Sequence, residues 1–258
     1  MLPPSIIHED DAIIAVAKPA GIATANVPAG EESVFTLVRG LLAGRDRGRR
    51  EPPFLGVVSR LDRPVSGVVV FAKTPPAAAD LAKQFRDRSV DKVYVAVVEG
   101  RFPAALNAWV EWIDVLARPR RGPTRRVSGE TGDEAGAEAG EARIRARVLV
   151  RHGEVSLVEL RPETGRRHQI RAQLGARGCP VVGDRLYGAR LPLPGGIALH
   201  AWRLTISHPA TRQRTVLTAE PPVPWRPRFA ALVSHLPPPG EVDSRSPRAG
   251  PPAQDESR

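Results

Sequence analysis

The sequence predicts an α+β fold built on one long, mixed sheet that is mostly antiparallel. Many short runs of β-branched and apolar residues have the alternation or length of strands, whereas only a few segments have helical spacing. Their order does not repeat the strand–helix alternation that a doubly wound parallel sheet requires. The chain has 258 residues, of which 41% are hydrophobic, enough for one large domain or two small ones with a buried core.

The first half of the chain contains four predicted strands and two predicted helices. The strands are the apolar runs at residues 11–17, 67–73, 92–99 and 108–116. The helices lie at residues 33–42 and at about 75–88, on either side of a basic loop at residues 45–53. Thr74 can cap the second helix, and Pro75 suits its first position, where the missing N–H has no helical partner.

The second half adds three strands and two helices. We expect strands at residues 143–151, 154–161 and 199–207, a helix within residues 165–178, and a short helix at residues 225–236. Residues 119–141 are basic and then acidic and of low complexity, which predicts a flexible insertion loop. Residues 237–258 are rich in Pro, Ser and charge, which predicts a disordered tail after a domain of residues 1–236.

Charge and cysteine content narrow the class of protein. Lys and Arg total 38 against 28 Asp and Glu, and this surplus favours a polyanionic partner, although genome base content alone can enrich Arg. Cys179 is the single cysteine, which rules out a disulfide within the chain and a zinc site made of cysteines. Because the sequence has no secretory signal and no membrane-length apolar run, we expect a soluble, cytoplasmic protein without a membrane partner.

An acidic residue between two arginines marks the first candidate site, at residues 59–67 (SRLDRPVSG). Asp62 lies between Arg60 and Arg63 on a loop that enters a buried strand, and the two guanidinium groups would stabilise its negative charge. Such a carboxylate is more often a turn or capping residue than a catalyst. The segment alone therefore leaves both roles open.

A dense basic segment at residues 161–171 (RPETGRRHQIR) marks the second candidate site. A helix that begins near Gly165 would place Arg167 and Arg171 on one face and present an arginine-rich N-terminus to an anion. A solvated basic helix with a structural His168 is the alternative. Tyr94, in the strand at residues 92–99, is a third candidate: it is either a half-buried strand aromatic or a platform for a nucleobase.

Together these segments resemble the RluA-type family of RNA pseudouridine synthases. That family has an HRLD signature followed by Thr-Ser-Gly and an apolar run ending in Ala-Lys, which SRLDRPVSGVVVFAK matches here. Its second and third motifs are matched by DKVYVAVVEG and TGRRHQIRAQL. Further matches are EDDAIIAVAKPAG, GCPVVGDRLYG and LHAWRLTISHP, so the likeness covers about residues 6–225 in the expected order.

The resemblance implies the pseudouridine synthase fold: a long, bent, mixed sheet flanked by helices, with the active cleft at its centre. It implies that Asp62 is the essential carboxylate, that Arg171 pairs with it, and that Tyr94 stacks on the target base. Arg60 is expected to enter the space that the flipped base leaves. The remaining expected RNA contacts are Arg63, Arg166, Arg167, His168 and Gln169. The partner is a structured RNA, ribosomal or transfer, and the family implies a monomer without metal or cofactor.

Three positions depart from the family pattern. Ser59 and Gln173 stand where His is common, and Val65 stands where Thr is usual. None of them is the essential carboxylate, so we expect activity to survive. No small N-terminal RNA-binding domain, which many relatives carry, fits before Ile6.

Two other functions compete with this one. They are an RNA chaperone without catalysis and an unrelated hydrolase that uses Asp62 and His168. The sequence leaves open which RNA and which uridine are modified, and how Asp62 acts.

Overall fold

One sheet runs through the protein in this computed structural model, which describes residues 4–45, 51–118, 122–127, 138–222 and 225–236. The strands are β1 Ser5–Glu9, β2 Ile13–Lys18, β3 Gly56–Val57, β4 Ser66–Ala72, β5 Asp91–Glu99, β6 Trp109–Arg118, β7 Arg125–Val127, β8 Glu138–His152, β9 Val155–Pro162, β10 Leu199–Ser207 and β11 Arg214–Thr218. The helices are α1 Val34–Arg45, α2 Pro75–Arg86, α3 Gln169–Gly175 and α4 Arg226–Val233, with a 3-10 turn at Arg185–Tyr187.

The strand pairing confirms the predicted α+β class with a mixed, mostly antiparallel sheet. The order is β1-β2-β4-β10-β5-β9-β8-β6-β7, with β11 paired to β10 and β3 paired to β4. Among the described strands, β4 and β10 pair in parallel and every other neighbouring pair is antiparallel. The parallel junction therefore joins the two antiparallel halves of the sheet near its centre.

Gly67 is required at this junction. It has φ +125° and pairs with Ala201 of β10, and a Cβ built on Gly67 would overlap the backbone nitrogen and carbonyl of Ala201. Only glycine combines that backbone conformation with so close an approach. The sequence Asp62–Gly67 thus enters the sheet where the two halves meet.

Two helices cover opposite faces of the first half of the sheet. The buried side of α1 (Val34, Val38, Leu42) packs on Ile14, Val16, Val69 and Phe71. The buried side of α2 (Ala77, Leu81) packs on Val68, Val70 and Ala72. The predicted cap of α2 is confirmed, since the Thr74 side chain accepts a hydrogen bond from the Ala77 N–H. None of the helices in the described ranges is long and apolar enough to cross a membrane.

The start of α3 differs from the prediction. The helix begins at Gln169 rather than near Gly165, and His168 before it has a left-handed backbone with φ 54°. The Gln169 side chain accepts from the Thr164 hydroxyl at 2.8 Å and from the Arg166 N–H at 3.0 Å, and it donates to the Arg143 carbonyl at 2.9 Å. These bonds hold the preceding residues in a turn, so the predicted helical face of Arg167 and Arg171 is wrong.

Other differences concern short or charged segments. Strands β1, β3 and β11 were not predicted. Within the range 119–141, expected to be a loop, the described residues form β7 and the first part of β8, while residues 119–121 and 128–137 lie outside the description. The predicted tail, residues 237–258, lies outside it as well, and the expected domain of residues 1–236 stays a prediction.

A partly exposed carboxylate-imidazole cluster joins the β1–β2 turn to the end of β10. Asp10, in the β1–β2 turn, is 2.8 Å from His8 Nε2 and 2.8 Å from His208 Nε2, which follows β10. Its other oxygen accepts from the N–H groups of Ala12 and Ile13. Burial alone would raise the pKa of Asp10, but these hydrogen bonds outweigh it and lower the pKa.

We therefore expect Asp10→Asn to destabilise the fold in a pH-dependent way. Because the folded pKa lies below the unfolded value of about 3.9, the stabilisation is present above about pH 4 and is lost as the pH falls below it. Asp10 is 34% exposed, so we expect a loss of only about 1 kcal/mol at neutral pH, or roughly 2–4 °C in Tm. Thermal unfolding of wild type and variant between about pH 3 and pH 7 measures this loss of stability. Asp11→Asn, which changes the exposed neighbouring residue, is the control. An equal Tm difference at both ends of the pH range would contradict it.

Candidate active site

A cavity of about 860 Å³ opens beside the parallel junction of the sheet. That volume is within the usual range for small-molecule sites and suits a single nucleotide. Its walls come from the loop before β4, the segment between β9 and α3, the end of α2, and strands β5 and β10. The charged and aromatic residues that line it are Arg60, Asp62, Arg63, Phe85, Arg86, Arg88, Lys92, Tyr94, Glu163, Arg166, Arg167, His168, Arg171 and Arg203.

The loop that carries Asp62 is held from both sides. Thr24 Oγ1 donates to the Leu61 carbonyl at 3.0 Å and accepts from the Leu61 N–H at 3.1 Å. Lys18, which is 1% exposed, donates from Nζ to the carbonyls of Arg63 at 3.2 Å and Val65 at 2.6 Å. Asp62 lies between these two anchors, so its backbone is fixed while its side chain remains 29% exposed in the cavity wall.

Arg171 joins two carboxylates. Its Nη1 donates to Asp62 Oδ2 at 3.1 Å, while Nε and Nη2 donate to the two oxygens of Asp184 at 2.6 and 2.9 Å. Burial alone would lower the pKa of Arg171, but Asp184 and Asp62 together raise it. Asp184 is buried, with 1% of its side chain exposed, so the forked pair with Asp184 fixes the guanidinium and leaves Nη1 for Asp62.

His168 and Tyr187 complete the contacts around Asp62. His168 Nε2 is 3.7 Å from Asp62 Oδ2, and His168 Nδ1 is 3.0 Å from the Tyr187 hydroxyl. Burial lowers the pKa of His168, and the Arg171 charge adds to this, although Asp62 opposes it. Burial also raises the pKa of Tyr187 to about 12. At neutral pH the site therefore holds a neutral imidazole and a protonated phenol next to one carboxylate.

Tyr94 lies on the floor of the same cavity. It is in β5, with Leu160 of β9 on one side and Ala201 of β10 on the other. Burial raises the pKa of Tyr94, and the negative charge of Asp62 raises it further. The structure thus brings Asp62, Arg171 and Tyr94 into one cavity, as the sequence predicts for the three proposed catalytic residues.

The six predicted RNA contacts have different surroundings. Arg60 is exposed on the cavity wall, and Arg63 forms an ion pair with Glu31 at its rim. Arg166 donates to the Glu141 carbonyl at 3.2 Å, and Arg167 and His168 line the cavity. Gln169 also lines the cavity, and its buried side-chain amide is bonded to Thr164 and Arg143 within the protein.

Sequence reasoning missed several residues of the site: two that contact Arg171 or His168, and three that line the cavity. Asp184 and Tyr187 are in the segment GCPVVGDRLYG. From sequence, this segment was used only as a further match to the family, and neither residue was given a role. Tyr187 could have been noticed as one of only two tyrosines. Lys92 belongs to the matched segment DKVYVAVVEG but was given no role, while Arg86 and Arg88 had no local signal, since each is also an ordinary surface cation.

The fold and the site are those of an enzyme in which a carboxylate bonded to an arginine faces a basic, nucleotide-sized cavity. The chain belongs to the RNA pseudouridylate synthase family, which it matches over residues 12–176. It is 35% identical over 209 residues to the dual-specificity RNA pseudouridine synthase RluA of Salmonella typhimurium, covering 80% of this chain and 87% of that protein.

A further relative and a solved structure are also similar to the chain. The ribosomal large subunit pseudouridine synthase D of Xanthomonas campestris is 34% identical over 237 residues, covering 86% of this chain and 67% of that protein. The solved structure of human RNA pseudouridylate synthase domain containing 4 superposes with a TM-score of 0.67 at 24% identity, over 90% of this chain and 92% of that chain. This last likeness concerns the fold.

Proposed function

We propose that the protein isomerises uridine to pseudouridine in structured ribosomal or transfer RNA, with Asp62 as the catalytic carboxylate. The observation that carries the proposal is the placement of Asp62, which is bonded to Arg171 and faces the cavity that Tyr94 lines. One relative is named for the ribosomal large subunit and another for dual specificity towards RNA, which supports ribosomal RNA as a substrate and leaves room for a second class.

The chemistry breaks the N1–C1′ bond, turns the uracil, and forms a C5–C1′ bond, after which the proton on C5 leaves. A stacked base cannot turn, so the uridine must first leave its helix or loop, at a cost of about a few kcal/mol. In the proposal Tyr94 stacks on the everted uracil and Arg60 enters the space that it vacates. Both a direct attack by Asp62 and its assistance in removing a sugar proton fit this placement.

Arg171 would keep Asp62 charged and oriented throughout the reaction. A charge-assisted hydrogen bond in a partly dry site favours the ionised carboxylate. The neutral His168 beside Asp62 adds no second positive charge that would pull the carboxylate away from the substrate. Arg166 and Arg167 would meet the RNA backbone at the opening of the cavity. No step of this scheme needs a metal ion or an organic cofactor.

Release of tritium tests the proposal directly. RNA transcripts of ribosomal and transfer type, labelled with tritium at C5 of uridine, are incubated with the full chain. We expect tritium in the solvent, one atom for each pseudouridine that nucleoside analysis finds. Binding without release would favour the chaperone alternative, and cleaved RNA would favour the hydrolase.

The target uridine is identified by mapping pseudouridines in a strain that lacks the gene and in its parent. We expect the enzyme to act as a monomer in the cytoplasm, where these RNAs are found. Sedimentation of the purified chain with and without RNA measures the first of these expectations.

A further inference from the structure

Lys92 lies close to Tyr94, the residue proposed to stack on the uracil, at about the distance that separates a base from its backbone phosphate. It is two residues before Tyr94 in β5, so both side chains are on the same face of the strand, about 7 Å apart. Both line the cavity, and Leu204 of β10 lies opposite Lys92. If a uracil stacks on Tyr94, the sugar-phosphate backbone that carries it can pass over Lys92.

The ammonium group of Lys92 is poorly compensated by the protein. Nζ donates to the Thr164 carbonyl at 3.1 Å, and within the described residues this is its one hydrogen bond. An ammonium has three donors, so two remain for a ligand. Burial lowers the pKa of Lys92 to about 8; the nearby charge of Arg88 lowers it too, and Glu163 opposes this.

Arg88 adds a second cation at this end of the cavity. It follows α2 and has φ 57°. This left-handed conformation often ends a helix, and the residue that adopts it there is usually glycine. Glu163, which also lines the cavity, is the acidic residue whose charge acts on Lys92.

We propose that Lys92 and Arg88 form a subsite for a backbone phosphate of the RNA, next to the uridine that stacks on Tyr94. A half-buried lysine beside an exposed arginine is stabilised by an anion, and an RNA backbone supplies phosphates next to the stacked base. This inference rests on the proposed function, because it takes the Tyr94 stack as its origin. Lys92 would then set the position of the nucleotide rather than take part in bond making.

The test compares three lysine variants in the tritium-release assay at several salt concentrations. We expect Lys92→Gln to raise KM about 10-fold, because a charged hydrogen bond is lost, while kcat changes little. The slope of log(kcat/KM) against log salt should become shallower by about 0.7–0.9, the amount for one phosphate contact. Lys92→Arg should keep both values. Lys83→Gln, which removes an exposed lysine paired with Asp87, is the control and should behave as the wild type.

Proton linkage gives an independent readout. Above about pH 8 the free protein loses the Lys92 charge, so KM of the wild type should rise between about pH 7 and pH 9. Lys92→Arg, whose guanidinium stays charged, should show a flatter profile.

An unchanged salt slope in Lys92→Gln would overturn the inference, as would an equal change in Lys83→Gln. If Lys92→Gln does not fold, Arg88→Gln replaces it, with the same expected change of slope. Salt-dependent RNA binding, measured by filter retention, gives the same slope without turnover. A wild type that binds RNA with this slope but releases no tritium would therefore refute the proposed function and leave the subsite standing.

Discussion

Asp62→Asn is expected to abolish pseudouridine formation while the protein still binds RNA. The amide has nearly the same shape, but it can neither attack the substrate nor accept a proton from it. We expect the rate of tritium release to fall by at least about 10³-fold in single-turnover experiments, which is the scale for loss of a catalytic acid-base or nucleophilic group. RNA binding should change by only a few fold, because the basic residues around the cavity stay in place.

The structure explains why this variant should fold. Arg171 keeps its two hydrogen bonds to Asp184 when the Asp62 charge is removed, so no buried guanidinium is left without a carboxylate. Asp11→Asn, at an exposed site far along the sheet from the cavity, controls for the loss of one negative charge. Turnover at the wild-type rate by Asp62→Asn would refute the assignment.

The strands and helices that sequence predicted correctly are those whose pattern is set by burial. Strand β4 is buried at every position, and its apolar run is unmistakable. Strand β1 is five residues long and at most half-buried, so it carries no such pattern. The predicted start of α3 was wrong because Gln169 bonds to Arg143, a residue 26 positions away on β8. Rules based on neighbouring residues cannot predict such a contact.

The same distinction applies to the site. Asp62, Tyr94 and Arg171 stand in segments that resemble motifs of a known family, so the resemblance could single them out from sequence. Asp184 is 13 residues beyond Arg171 and was passed over, because nothing local shows that its carboxylate is buried. The arrangement of Lys92 and Arg88 arises only where the start of β5 meets the end of α2. Residues that orient or compensate charge are therefore found in the structure rather than in the motifs.

Asp184→Asn is expected to reduce kcat by about 10²-fold with a much smaller change in KM. An amide can accept one of the two hydrogen bonds from Arg171, but its NH₂ group opposes the other. The Arg171 guanidinium is then held mainly by Asp62. This stronger pairing draws the Asp62 carboxylate towards Arg171 and away from its position facing the substrate. Breaking half of a buried pair should also lower stability by about 2 kcal/mol, or roughly 4–8 °C in Tm.

A structural effect and a positioning effect can be separated with a second buried carboxylate. Asp114 is 4% exposed and pairs with Arg177 at 2.9 Å and with Gln173 at 2.7 Å, away from the residues that line the cavity. Asp114→Asn should therefore lower Tm by a similar amount and leave kcat close to the wild-type value. Equal losses of kcat in both variants would show that Asp184 acts through general stability.

Arg171→Lys tests whether Asp184 acts through Arg171. A lysine keeps the charge but cannot bond to two carboxylates in the forked geometry of a guanidinium. The double variant combines Asp184→Asn with Arg171→Lys. If Asp184 works by orienting Arg171, this double variant should be about as active as the less active of the two single variants, since both changes remove the same constraint. Losses that multiply would mean that Asp184 and Arg171 support catalysis independently, and the chain of contacts from Asp184 through Arg171 to Asp62 would then not explain the rate.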